Sequence, residues 1–142
     1  MTNQRIWESL INFLSSLGGN DPVSMMHDTP SYMPAVENYL RNPVAKEDFN
    51  KTSYYLGVFL GEYINQVYSG YWKHDEKESV IVVGPDEDGL LYKTSPNQIA
   101  IEQNTEMNTF VINPFELAKN YLNTANEIEL SEYVNRQMQS KA

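Results

Sequence analysis

The chain has 142 residues, 19 Asp and Glu against 10 Lys and Arg, a formal net charge of −9 and no cysteine. That length suits one domain spanning residues 1–142, and 41% hydrophobic with 12% aromatic residues argues against disorder. A surface this acidic repels phosphate and disfavours nucleic-acid or anionic-membrane binding, while the missing thiols exclude disulfides, cysteine nucleophiles and thiolate metal sites.

In chain order, Ile6, Trp7, Leu10, Ile11, Leu14 and Leu17 recur at helical spacing, which predicts an amphipathic helix over 3–17 with that stripe on the core. Gly18-Gly19 ends it. Asn20-Asp21-Pro22 and Thr29-Pro30 read as turn signals, so 20–31 is expected as a loop. A short helix follows over 32–42, with Met33, Val36 and Leu40 on one face, Pro34 in its first turn and Asn42-Pro43 as its stop. Residues 46–69 make the longest predicted helix. Its middle, 54–61, is apolar almost all round, which marks the central element.

After Gly70 the pattern changes to short runs rich in β-branched and aromatic residues: 71–74, 79–83, 90–94, 99–101 and 109–112. They predict one small antiparallel sheet of four or five strands in meander order. Asn113-Pro114-Phe115-Glu116 then opens a helix, with Asn113 as cap, Pro114 in the first position and Glu116 able to reach back to the cap. A last helix covers 127–138, with Leu130, Tyr133, Val134 and Met138 inward. Helices, then strands, then helices define an α+β fold, not alternating α/β.

Glu8 and Ser9 interrupt any apolar leader core near the start, which points to a cytoplasmic protein of bacterial type. The most apolar stretch, 54–64, contains Glu62 and falls well short of the ~20 residues a membrane span needs.

Few residues suggest chemistry. Glu62 interrupts the apolar run of the central helix. A carboxylate there has a raised pKa unless it is paired, which suits either a general acid or base or a structural acid holding a cation or an N–H. His27 and His74 lack ligand spacing, so no metal is expected, and no nucleotide or redox cofactor motif is present. Ser24 and Ser69 sit in no triad context, and the loop at Asp86-Glu87-Asp88-Gly89 fails as a calcium site because it runs into Leu90-Leu91. Gly57 and Gly61, one turn apart, are expected to admit a closely packed neighbour, with Trp72 buried against them.

Within 75–88, Asp75, Glu76, Glu78, Asp86, Glu87 and Asp88 face Lys77 alone. If 79–83 is a strand, these acids flank its two ends, forming either a rim for a basic partner or a solubilising surface. Ten tyrosines invite the same question; Tyr71 and Tyr92 are the candidate anchors.

Three short pieces, Leu60-Gly61-Glu62-Tyr63-Ile64, Gly70-Tyr71-Trp72 and Ile112-Asn113-Pro114-Phe115, belong together. They resemble small uncharacterised bacterial domains in which a Gly-Glu helix leads to a Gly-x-Trp strand and an Asn-Pro-Phe helix start. Some of these are similar to immunity proteins of polymorphic-toxin systems. The resemblance covers residues 55–122 and implies structural roles for Gly57, Gly61, Glu62, Trp72 and Asn113, with no catalytic residue. The resulting expectation is a small acidic non-enzymatic protein that occludes a toxin or other basic partner. The alternatives are a self-associating accessory domain, with a homodimer face of Tyr and Met, or an enzyme using Glu62.

Overall fold

The computed structural model describes residues 2–18, 21–41, 48–74, 79–83, 90–95, 98–103, 110–125 and 128–141; at 83, 90–95, 98–103, 110, 124–125 and 141 it describes the backbone alone.

Helix α1 (Asn3–Ser16) begins where the Thr2 side chain accepts the Arg5 N–H at 3.2 Å. It buries Ile6, Leu10, Phe13 and Leu14, an i, i+4, i+7, i+8 stripe. Trp7 is one position off that stripe and stands 46% exposed, so its expected place in the core is corrected. Gly18 ends the helix at φ +83°, where a side chain would be strained.

The expected loop at 20–31 is instead largely helical. Pro22 and Pro30 are not turn prolines; each occupies a first helical turn, where a missing N–H costs nothing. They open α2 (Pro22–Met26), capped by Asp21, and α3 (Thr29–Leu40). Pro34 therefore lies inside α3 and not in its first turn. Met25, Met26, Met33 and Val36 join the core.

Helix α4 (Phe49–Tyr68) starts at Asp48, whose carboxylate accepts the Lys51 N–H at 3.0 Å, and ends at Ser69 in the left-handed conformation. It buries the continuous run 56–61 together with Ile64, and packs against α1, α3 and the first two strands, which makes it the central element expected. Among the described residues no helix is long and apolar enough to cross a membrane.

The α+β class stands, but the single sheet does not. β1 (Gly70–His74), β2 (Ser79–Val83) and β5 (Phe110–Ile112) form a three-stranded antiparallel sheet in the order β1-β2-β5. β3 (Leu90–Ser95) and β4 (Gln98–Gln103) pair only with each other. Link length explains the division. Only residues 96–97 form a two-residue link, which commits its flanking strands to a hairpin; the longer links at 84–89 and 104–109 leave β5 free to return to β2. Register places Trp72, Ile81 and Ile112 side by side, and Ile81 and Ile112 are buried.

Asn113 caps α5 (Pro114–Asn120) as expected, accepting from the N–H groups of Phe115 at 3.0 Å and Glu116 at 3.2 Å. A π-helical turn, Tyr121–Ala125, follows; nothing in the sequence pattern announced it. The last helix, α6 (Leu130–Lys141), starts three residues later than expected and buries Leu130, Tyr133, Val134 and Met138.

Candidate functional site

The three sequence pieces converge on one contact. A methyl group at Gly57 would strike the Phe115 ring, and one at Gly61 would strike the Trp72 indole, so both glycines exist to let α5 and β1 approach α4. Both are buried as expected; Trp72 is only partly buried. A methyl at Gly70 would meet Ile81 Cγ2 and the Asn65 side-chain oxygen.

Glu62 follows Gly61 on the same helix and is partly buried. Its Oε1 accepts the Trp72 indole N–H at 2.8 Å. Burial pushes its pKa above the ordinary glutamate range; hydrogen bonding from Trp72, Trp7 and Gln66 pulls the other way without cancelling the rise. The β1 indole thus donates to a carboxylate of α4, with the α1 indole of Trp7 near enough to act on it. Gln66, one turn on, fixes the α2–α3 junction: its Oε1 accepts the Thr29 N–H at 2.9 Å and hydroxyl at 2.7 Å, and its Nε2 donates to the Met26 carbonyl at 2.9 Å.

Beside this, the His74 ring stacks on Trp72 with centroids 5.9 Å apart and 10° between planes. His74 Nε2 lies 2.7 Å from Asn3 Oδ1, and Nδ1 lies 2.8 Å from Ser79 Oγ. An amide oxygen only accepts, so Nε2 carries the hydrogen and Nδ1 accepts from the Ser79 hydroxyl. Burial lowers the His74 pKa, favouring this neutral ring. The constellation has the residue types of a nucleophile–base–orienter set, but Ser79 is 6% exposed and cross-strand to His74 in the register. It closes the β1–β2 hairpin and clamps α1 to it.

The aromatic contacts run on from Trp72 to Phe115, Tyr54, Tyr55 and Phe13, at centroid spacings of 6.0, 5.7, 5.6 and 5.6 Å. Tyr54 also meets Ser9 Oγ through its hydroxyl at 2.8 Å. A second group lies at the far end of α4. Glu37 of α3 accepts the Ser131 N–H at 3.1 Å and so caps α6 from another helix, while Tyr68 donates to Asn135 at 2.9 Å. Burial, together with the Glu37 charge, raises the Tyr63 and Tyr121 phenol pKa values.

The expected acidic rim lies outside this picture. Strand 79–83 forms, but Asp75, Glu76, Glu78, Asp86, Glu87 and Asp88 lie outside the described residues, and Tyr92 is described only as backbone in β3. Tyr71 is partly buried in β1. Among the described residues no group of three or more His, Asp or Glu is placed to hold a metal ion. Sequence reading did not find the Trp7–Glu62, Glu37–Ser131 or Asn3–His74 contacts. His74–Ser79 had a signal, since both flank one short link between predicted strands; Asn3 had none.

No protein-family model, curated protein or solved structure matches the chain.

Proposed function

We propose that the chain is a small acidic binding protein of the immunity or inhibitor type, which acts in the cytoplasm by occluding a toxin or another basic protein and performs no chemistry of its own. The carrying observation is uncompensated charge. The chain holds a net −9, and among the described residues the ion pair of Arg136 with Glu132 offsets one carboxylate. Such a field speeds encounter with a basic partner and repels nucleic acid. The organisation around Glu62 supports the non-enzymatic part of the reading, because among the described residues the groups acting on its carboxylate are indoles and an amide.

The test is kinetic. The tagged chain is purified natively from its own host, the co-purifying protein is identified, and association is followed against salt. Replacing Asp86, Glu87 and Asp88 together with Lys should slow association and flatten its salt dependence while changing dissociation less. A partner that is not basic, or rate constants untouched by the triple reversal, defeats the reading. Concentration-dependent light scattering tests the runner-up, self-association into a homodimer.

A further inference from the structure

We propose that Glu62, together with Trp7 and Trp72, forms a recognition site for a guanidinium group, the arginine side chain of a partner protein. This deepens the function proposed above and rests on it for the identity of the partner, though not for the site itself.

The geometry begins with an imbalance. The Glu62 carboxylate is largely withdrawn from water where β1 meets α4; the Trp72 indole donates to it at 2.8 Å, and the Trp7 indole and the Gln66 amide lie near enough to lower its pKa. All three are neutral. They bring no positive charge, and among the described residues no cation pairs with Glu62, a costly arrangement for a partly buried carboxylate. Other described carboxylates are spent differently. Asp21 and Asp48 cap their own helices, Glu37 caps α6, and Glu132 holds Arg136. Among these carboxylates, Glu62 is the one that takes its hydrogen bond from an indole.

The Trp7 side of the site is open. Trp7 is 46% exposed, although it sits beside a well-filled apolar stripe. Its indole lies near enough to Glu62 to lower the carboxylate's pKa, while much of the residue faces solvent. A planar cation stacked on that ring gains the cation–π attraction and can donate an N–H to the carboxylate at the same time. A carboxylate accepts about four hydrogen bonds and the Trp72 N–H takes one of them, which leaves room for the incoming N–H. Exposed tryptophan beside a desolvated charge is also the composition of an interface hot spot. The net charge of −9 supplies the long-range attraction for a cation.

The experiment needs no identified partner. The chain contains two tryptophans, both at this site, so an indole N–H spectrum holds one resonance from each. The uniformly 15N-labelled full chain is titrated with N-acetyl-arginine methylamide, and in parallel with the citrulline analogue, which has the same shape and no charge. Both indole resonances should move saturably with the arginine probe and stay still with citrulline. Glu62→Gln, which still offers Trp72 an acceptor, should weaken the arginine response by about tenfold or more. Trp7→Ala should weaken it by roughly fivefold. Stationary indoles, equal responses to both probes, or an undiminished response in Glu62→Gln overturn the site. Failure of the site and of the function proposed above are separable. A basic partner that binds Glu62→Gln as tightly as the original chain defeats the site alone, whereas arginine binding with no basic partner defeats the partner reading alone.

Discussion

The indole N–H of Trp72 donates to Glu62 Oε1 at 2.8 Å, while the same ring lies where a side chain on Gly61 would have to be. Two adjacent residues of α4 thus receive one residue of β1, the first by vacating space and the second by accepting a hydrogen. The helix-to-sheet contact depends on both.

Gly61→Ala should therefore destabilise the fold although alanine is the better helix former. Its methyl must displace a ring held by a hydrogen bond and by stacking on His74. A loss of about 1–3 kcal/mol is expected in urea unfolding. Gly57→Ala, which meets the Phe115 ring and backbone, should behave alike. If either variant gains stability, the packing account of these glycines is wrong.

Stability should fall as pH rises through the Glu62 transition. Burial raises the folded-state pKa above the unfolded value, so between the two the folded chain binds the extra proton. The benefit is complete below the unfolded value and is lost as pH passes the folded one. Glu62→Gln should remove that part of the slope and be the more stable form at alkaline pH. Urea midpoints measured from acid to alkaline pH for both proteins decide it.

His74 carries the opposite sign. Its folded pKa is depressed by burial, so its contribution to stability is present above the unfolded value and lost as pH falls through the folded one. In an imidazole NMR titration His74 should titrate below the ordinary histidine range, with the Nε2-protonated tautomer at neutral pH. A titration at or above that range removes the Asn3–His74–Ser79 assignment.

Glu37→Ala should loosen a helix ninety-odd residues away in sequence. The carboxylate caps α6 at Ser131, and losing a cap costs about 1 kcal/mol. Amide exchange at Ser131 and the first turn of α6 should accelerate, with α1 amides changing only by the global loss. Uniform acceleration across the chain would show that Glu37 acts elsewhere.

Local chemistry made much of the fold readable. Gly57, Gly61, Trp72 and the Asn113-Pro114-Phe115 start announced their contacts because a glycine in a helix and a capped proline have few other uses. Pro22 and Pro30 misled, since proline serves a turn and a first helical turn equally well. Strand existence was legible in residue type, but partner choice was not: β5 selects β2 through Ile81 and Ile112, a contact of distant residues. The site was half legible. Glu62 stood out in an apolar run, but Trp7 looked like a core residue, whereas the buried stripe runs through Ile6, Leu10, Phe13 and Leu14 and leaves it exposed.

The pairing of Val83 with Phe110 means that the chain leaves β2 and resumes at β5 from directly opposed positions. Everything between them, residues 84–109, is an excursion that begins and ends at one doorway. Lengthening such an excursion is thermodynamically mild, with each doubling adding only about 0.6 kcal/mol of closure entropy. Changes of length in its links are therefore mild, whereas β3 itself packs against both β1 and α4 and is tied to their joint. In descendants and cousins of this chain, insertions and deletions should fall in the links at 84–89 and 104–109, while β3 stays matched to the scaffold it touches.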